Sequence, residues 1–204
     1  MLLRTVRICF VAVAVVFWAA LPALAGADSA STLVKGFQGT LLEVMKSAET
    51  SDVRQRFARL APQVDRTFHV PLMVQIATSD HWNSATAAEK ADVVKAFRRM
   101  SVATLATLFD GYNGEVFAVA GERPGPSKTT IVKTVLTKSD KSTVDIAYVA
   151  RPFGGEWRLI DVVVDNGISE LKVRRSEYRS VLNKSGLPGL IALLNGKADE
   201  LMSD

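Results

Sequence analysis

The sequence predicts an α+β fold, and two changes in apolar periodicity carry this prediction. Apolar residues recur with helical spacing from residue 29 to about 112, alternate with polar residues up to 164, and return to helical spacing from 169 onward. Short turn-forming links separate the alternating segments, which favours antiparallel pairing because parallel strands need long crossovers. We therefore expect N-terminal helices, a four-stranded antiparallel sheet, and C-terminal helices that close back on it.

The first 25 residues have the pattern of a cleavable secretory signal. Arg4 and Arg7 precede an apolar run over residues 8–21, and small residues at 23–25 suit cleavage after Ala25. The run is about fourteen residues long, whereas a membrane-spanning helix needs roughly twenty. We expect residues 1–25 to be a signal peptide and residues 26–204 to form a single domain in the periplasm. The only cysteine, Cys9, lies inside the signal, so the mature domain has no disulfide.

Three short helices and one long helix are predicted before residue 112. The first carries a stripe over residues 33–45, the second covers 53–60 and ends before Pro62, and the third begins with Pro71 in its first turn. The long helix begins at Thr86, because Glu89 three residues later completes a capping box.

Four strands follow, separated by turn residues, over 115–120, 129–138, 143–151 and 156–164. The last of them is apolar on both faces for most of its length, so it should be central or covered on both sides. Two helices are then predicted over residues 169–183 and 187–201, punctuated by Gly186 and Pro188.

Composition argues against several classes of function. The formal net charge of the chain is +4, and without Arg4 and Arg7 the mature domain carries +2. Nucleic-acid-binding proteins concentrate basic residues on one face, so a nucleic-acid partner is not expected. The two histidines, His69 and His81, lack the i, i+4 spacing of a zinc protease, and no glycine-rich phosphate loop or Gly-x-Ser-x-Gly motif is present. We therefore expect that the protein is not an enzyme and that it has neither a cofactor nor a metal site.

Asp161 is the carboxylate that we consider for a catalytic role. It lies in the most apolar strand, on the face of Leu159 and Val163 if alternation holds. A desolvated carboxylate can act as a general base, so a small hydrolase or isomerase is an alternative function. The alternative for the residue itself is a structural aspartate that pairs with an arginine or faces water.

A basic cluster marks the first of the two C-terminal helices and consists of Lys172, Arg174, Arg175 and Arg179. It could bind lipid phosphate or dock an acidic partner protein, or its members could pair with Glu170 and Glu177 on the helix surface. The long helix also carries large apolar residues on more than one stripe. This excess indicates either a large core or an apolar cavity between sheet and helices, and the residues alone leave both open.

Several segments in this order resemble the MlaC / toluene-tolerance family of periplasmic lipid carriers. The most specific is the run Trp-Arg-Leu-Ile-Asp-Val-Val-Val over 157–164 that leads to Gly-Ile-Ser at 167–169, with Tyr178-Arg179 in the following helix. Weaker matches lie at 64–68, 82–90, 97–99, 109–112 and 190–194. His69 departs from the family pattern, and residues 169–178 look closer to the branch associated with hopanoid biosynthesis (HpnM-like).

The resemblance implies a curved sheet whose helices enclose an elongated apolar pocket for a phospholipid or a hopanoid. The protein would carry this lipid between the inner and outer membranes as part of an ABC-transporter-linked system. Its partners would be an inner-membrane transport complex and an outer-membrane lipoprotein complex, docked through Arg174, Arg175 and Arg179. The expected pocket wall consists of Phe97, Met100, Phe109, Val135, Tyr148, Val162 and Val164, and the expected flexible lid of Leu72, Met73 and Ile76.

Overall fold

The structure, a computed structural model, describes residues 29–165 and 167–203. The predicted signal peptide and its cleavage point lie outside the described residues. The described residues form six α-helices and five strands in the predicted order of helices, sheet and C-terminal helix. A five-residue helix over residues 80–84 was not predicted, and a one-turn 3₁₀ helix follows the first helix. The bounds of the α-helices and strands are α1 Ala30–Lys46, α2 Val53–Thr67, α3 Val70–Thr78, α4 Asp80–Ser84, α5 Ala87–Leu108, β1 Val116–Pro124, β2 Thr130–Thr137, β3 Thr143–Phe153, β4 Glu156–Val164, β5 Ile168–Ser169 and α6 Glu170–Leu201.

Side-chain caps fix where the helices begin. The predicted capping box of α5 is confirmed: the Thr86 hydroxyl accepts from the Glu89 backbone N–H, and the Glu89 carboxylate accepts from the Thr86 N–H. Asp52 and Gln55 form a second capping box at the start of α2. The predicted end of α2 before Pro62 is wrong, because the helix continues through this proline to Thr67. Its buried residues Leu60, Val64 and Thr67 lie on both sides of Pro62, and their packing offsets the backbone hydrogen bond that proline cannot donate.

One antiparallel sheet holds all five strands in the order β1-β2-β3-β4-β5. The expected count of four is therefore corrected to five. The additional strand β5 is only two residues long and pairs with the end of β4, Val164 opposite Ile168. Two residues are too few to show an alternating pattern, which is why the periodicity did not reveal this strand.

The strand register assigns each side chain to one face of the sheet. Val132 lies opposite Tyr148, which lies opposite Val162, and directly opposed residues share a face. This face packs against the helices, and Val132 and Tyr148 are buried in it. Lys133 and Asp145 alternate with these residues, lie on the opposite face and are exposed. Register shifts interrupt β1 against β2 and β3 against β4, and such irregularities bend a sheet.

The chain between α2 and α3 covers part of the free edge of β4. Phe68 forms a parallel bridge with Leu159, and the backbone N–H of His69 donates to the Leu159 carbonyl at 2.9 Å. At its other end, β4 pairs with β5. The apolar strand β4 is thus bordered on both edges for part of its length, by β3 along one side and by β5 and residue 68 along the other.

The C-terminal helix α6 runs from Glu170 to Leu201 and bends at Gly186, whose φ of 62° and ψ of −161° are not helical. The predicted break between the two C-terminal helices is therefore confirmed at Gly186, and the two parts are described together as α6. It packs mainly against α5, which lies between α6 and α2. Residues of α5 form the centre of the core, and Val93, Val102 and Ala103 are fully buried there. Within the described ranges, no helix combines the length and apolar character needed to cross a membrane.

Candidate functional site: an apolar cavity between sheet and helices

A cavity of about 380 Å³ lies between the helix-facing side of the sheet and the surrounding helices. Residues of α1, α2, α3, α5, α6, β3 and β4 contribute to its lining. Most of the lining side chains are apolar, and they are Phe37, Leu41, Val64, Phe68, Val70, Met73, Phe97, Leu105, Leu108, Phe109, Ile146, Tyr148, Val162, Val164 and Leu171. Four polar residues complete the lining, namely Ser101, Thr104, Glu170 and Arg174.

Two adjacent strands provide the flat wall of the cavity. Tyr148 lies opposite Val162, and Ile146 lies opposite Val164, so antiparallel pairing brings four side chains onto one face. Aromatic rings build the adjoining wall. The ring of Phe37 meets that of Phe68 edge-on, with centroids 5.1 Å apart, and meets that of Tyr148 at 6.3 Å. These contacts hold the wall in one arrangement.

The hydroxyl of Tyr148 has polar neighbours although the residue is buried. The Gln38 side-chain amide donates to Thr134 Oγ1 at 3.0 Å and to Tyr148 Oη at 3.4 Å. Burial raises the pKa of Tyr148 to about 12, and the hydrogen bond from Gln38 opposes this shift. Tyr148 therefore stays neutral at physiological pH and contributes an uncharged surface to the cavity.

The exposed members of the lining show where the cavity opens. Leu108, at the end of α5, is 68% exposed, and Glu170, at the start of α6, is also exposed. Phe37, Leu41 and Val64, by contrast, are almost fully buried. The cavity thus has an apolar closed end and a mouth that reaches solvent beside the first turns of α6. We call the part of the lining formed by Glu170 and Arg174, in the first turns of α6, the mouth.

Six of the ten residues predicted for the pocket wall and lid line this cavity: Met73, Phe97, Phe109, Tyr148, Val162 and Val164. The other four lie elsewhere. Val135 shares the outer face of β2 with Lys133, because the residues that face the helices are Val132 and Thr134. Met100 is buried in the core. Leu72 and Ile76 are not part of the lining, and Ile76 is 38% exposed.

The sequence prediction missed the contribution of α1 and of the segment between α2 and α3. Phe37 and Leu41 come from α1, and Phe68 and Val70 come from that segment. The spacing of Phe37 and Leu41 places them on one helix face. This pattern could have identified them as members of a core or a pocket, but helical spacing does not distinguish the two.

Asp161 lies outside the cavity and stabilises the start of α6. Its Oδ1 accepts from the Leu171 N–H at 3.0 Å, and its Oδ2 accepts from the Ser169 hydroxyl at 2.6 Å. The predicted shared face with Leu159 is wrong. Leu159 pairs with Ala150, whereas Asp161 pairs with Val149 after a register shift, so the two lie on opposite faces. The geometry gives Asp161 a capping role.

The three arginines of the basic cluster on α6 divide between two cavities, whereas Lys172 is exposed and lines neither of them. Arg174 lines the mouth of the apolar cavity. Arg175 and Arg179 border a second cavity of about 240 Å³ that lies against the α3–α4 junction. There Arg175 donates to the Ser79 hydroxyl at 3.1 Å, and Ser79 has a positive φ of 52°, an uncommon conformation for a residue with a side chain.

The two histidines have separate surroundings. His69 caps α3, since its Nδ1 accepts from the Leu72 N–H at 3.2 Å, and its ring stacks on Phe153 with centroids 4.0 Å apart. His81 borders the second cavity. In the part of the chain that the structure describes, no group of three or more potential metal ligands comes together.

Comparison with known proteins agrees with this geometry. The family model described as "MlaC protein" matches residues 36–196. A solved structure of a phospholipid-binding protein from Ralstonia solanacearum, in complex with a phospholipid, superposes with a TM-score of 0.75. The match has 17% sequence identity and covers 85% of this chain and 98% of that chain, which shows a shared fold. On the extent of the family match, this chain belongs to the MlaC protein family.

Proposed function

We propose that this protein binds a membrane lipid in the apolar cavity and carries it through the periplasm between the inner and outer membranes. The observation that carries the proposal is the cavity itself, about 380 Å³ in volume, apolar at its closed end and charged at its mouth. This is the arrangement that an amphipathic molecule requires. Ligand pockets in proteins commonly span about 300–1,000 Å³. The ligand-binding relative from Ralstonia solanacearum supports a phospholipid as the ligand, and a hopanoid is the alternative.

The physical reason for such a carrier is the cost of moving acyl chains through water. Each methylene group removed from water is worth about 0.8 kcal/mol, so aqueous transfer of a lipid is slow. Phe37, Phe97 and Val162 would replace water around the chains. We propose that Met73, Phe109, Tyr148 and Val164 contribute to the same wall.

Release of the lipid requires a partner that favours the empty state, because a ligand can be displaced only through a difference in affinity between two states. We propose that Arg175 and Arg179 belong to the docking surface for the inner-membrane transport complex and for an outer-membrane lipoprotein complex. Their support is positional. Both border the second cavity, and no carboxylate within the described residues forms a salt bridge with either of them.

The enzyme alternative loses its main argument in this structure. A general base must direct a free lone pair at its substrate, whereas the Asp161 carboxylate accepts hydrogen bonds from Ser169 and Leu171 and lies outside the cavity lining. Family membership also favours a binding and transport protein over an enzyme.

Native mass spectrometry tests the proposal on protein purified from periplasm without detergent, followed by organic extraction of any bound molecule. We expect a stoichiometric lipid adduct, whose mass distinguishes a phospholipid from a hopanoid. Protein that is free of lipid and also takes up none from vesicles would contradict the proposal.

A pair of variants locates the lipid. Val162→Asp places a carboxylate in the cavity wall, and Ile131→Asp places the same group on the outer face of the sheet. Burying an unpaired charge is costly, so Val162→Asp should lose retained lipid while Ile131→Asp keeps it. Equal retention in two folded variants would show that the lipid binds elsewhere.

A further inference from the structure

The mouth of the apolar cavity carries one cation and one anion among its described lining residues. These are Arg174 and Glu170, both near the start of α6. A spacing of four residues places them on the same helix face, with their Cβ atoms about 5–6 Å apart. Such a pair commonly forms a salt bridge, but here the two side chains are not within 4.0 Å of each other in the described chain.

The guanidinium group of Arg174 forms no hydrogen bond with a carboxylate among the described residues. The side chain is only 23% exposed, and its nearest carboxylate is that of Glu177 at 3.9 Å, beyond hydrogen-bond distance. The other polar contact is with the sulfur of Met100 at 3.8 Å. A desolvated cation is normally paired, and the planar guanidinium group matches the two free oxygens of a phosphodiester.

The hydroxyl of Tyr178 lies near the Arg174 guanidinium. The hydroxyl of Tyr178 is buried and forms no hydrogen bond with any described residue. Burial raises the pKa of Tyr178 to about 12, and the nearby Arg174 guanidinium opposes that shift. Tyr178 does not line the cavity, so among these groups it is the Arg174 guanidinium that a ligand oxygen in the cavity would reach.

Glu170 determines which phosphate-bearing head group suits the mouth. Its side chain is exposed, and within the described chain it forms no salt bridge. A head group with only negative charge would be repelled by this carboxylate. A head group that joins its phosphate to an ammonium through a short linker would place opposite charges against both residues.

We propose that Arg174 and Glu170 together recognise a zwitterionic phospholipid head group, with the phosphate at Arg174 and a primary ammonium at Glu170. The inference rests on the proposed function and adds to it the class of lipid. It also separates Arg174 from the docking surface, because this residue faces the lipid whereas Arg175 and Arg179 border the other cavity.

A competition experiment tests this inference. Delipidated full-length mature protein is incubated with vesicles of equimolar phosphatidylethanolamine and phosphatidylglycerol with identical acyl chains, and the bound lipid is extracted and quantified. A partly exposed charge pair contributes roughly 0.2–1 kcal/mol, so we expect phosphatidylethanolamine to be enriched about 1.5- to 5-fold. Glu170→Gln should abolish this enrichment, and Arg174→Gln should reduce the uptake of both phospholipids.

Matched controls use charged residues of α6 that do not line the cavity. Exposed Lys184→Gln removes a positive charge farther along α6, and exposed Glu200→Gln removes a negative charge near the end of the helix. Neither should alter the lipid ratio, and thermal melts verify that each variant is folded. An unchanged ratio in Glu170→Gln, or unchanged uptake in Arg174→Gln, would overturn the inference while lipid carriage stands. Wild-type protein that takes up neither phospholipid from these vesicles and shows no lipid adduct in native mass spectrometry would instead refute the proposed function.

Discussion

Asp161 connects the last long strand to the final helix through its carboxylate. It accepts from the Leu171 N–H and from the hydroxyl of Ser169, which itself caps α6 by accepting from the Lys172 N–H at 3.1 Å. We predict that Asp161→Ala lowers the free energy of unfolding by about 1–2 kcal/mol, because the Leu171 N–H and the Ser169 hydroxyl at the helix start lose their acceptor.

Urea denaturation measures this loss. Asp145→Ala provides the control, because Asp145 is an exposed aspartate on the neighbouring strand and its removal should change stability by less than about 0.5 kcal/mol. Equal effects of the two substitutions would contradict the capping role. Lipid carriage should survive in Asp161→Ala, whereas a catalytic Asp161 would leave a folded but inactive protein.

The ion pair between Asp65 and Arg98 gives a pH dependence at the scale of single residues. The hydrogen bond and the charge of Arg98 hold the pKa of Asp65 below its ordinary value of 3.8, against a smaller opposing effect of burial. Since the folded-state pKa is the lower one, the stabilisation is complete above pH 3.8 and is lost as the pH falls through the folded-state pKa.

We therefore predict that Asp65→Asn lowers stability near neutral pH and that its difference from wild type disappears in strong acid. Both partners are partly exposed, so the difference should be about 0.5–1 kcal/mol. Urea titrations at several pH values measure it, with exposed Asp92→Asn on α5 as the control. A difference that stayed constant down to pH 2 would rule out this explanation.

At the scale of elements, the bend in α6 depends on a glycine. Gly186 has a φ of 62° and a ψ of −161°, a combination essentially restricted to glycine. Gly196 lies farther along the same helix with open space where a Cβ would stand. We predict that Gly186→Ala destabilises the protein by about 1–3 kcal/mol, whereas Gly196→Ala stabilises it by up to about 1 kcal/mol.

Thermal or urea unfolding of these two variants gives effects of opposite sign if the bend is intrinsic to the fold. If both substitutions stabilised the protein, α6 would be able to run straight through residue 186, and the bend would not be required.

The sequence determined the elements well wherever local chemistry decides them. Thr86 and Glu89 revealed the start of α5, and Gly186 with Pro188 revealed the break in α6. Pro62 misled the prediction because burial of Leu60 and Val64 on both sides of it maintains the helix. Tertiary packing decides that case, and a single sequence does not show it.

The cavity lining was harder to predict than the helices and strands, because it depends on which face of the sheet each strand residue lies on. Val162 and Val164 were assigned to the cavity side correctly, but Val135 was not, and one residue of offset moves a strand side chain to the other face. The register shift before Asp161 had the same effect on that residue. Whether an apolar helix face borders a cavity or solid core depends on all the surrounding elements together.

For the whole molecule, occupation of the cavity should determine thermal stability. A ligand that binds only the folded state stabilises it by about 2.7 kcal/mol at one hundred times its dissociation constant. For a domain of this size each kcal/mol raises the Tm by about 2–4 °C. We predict that delipidated protein melts roughly 5–10 °C below the lipid-loaded protein.

Differential scanning calorimetry of the two forms measures this shift. Val162→Asp supplies the control. The carboxylate that it places in the cavity wall should prevent lipid binding, so its Tm should not change when lipid is added. If the Tm of the wild type also did not change when lipid is added, any bound lipid would not interact with the folded core.

The adjacency of Arg174 and Arg175 has a consequence for the proposed transfer of lipid. Successive helical residues point about 100° apart, and here one reaches the mouth of the apolar cavity while the next borders the second cavity. Both cavities therefore share α6 as a common wall. A partner that shifted or rotated this helix through Arg175 would displace Arg174 in the same motion. In the proposed transfer, docking at a membrane complex and weaker binding of the lipid would then result from the same movement of α6.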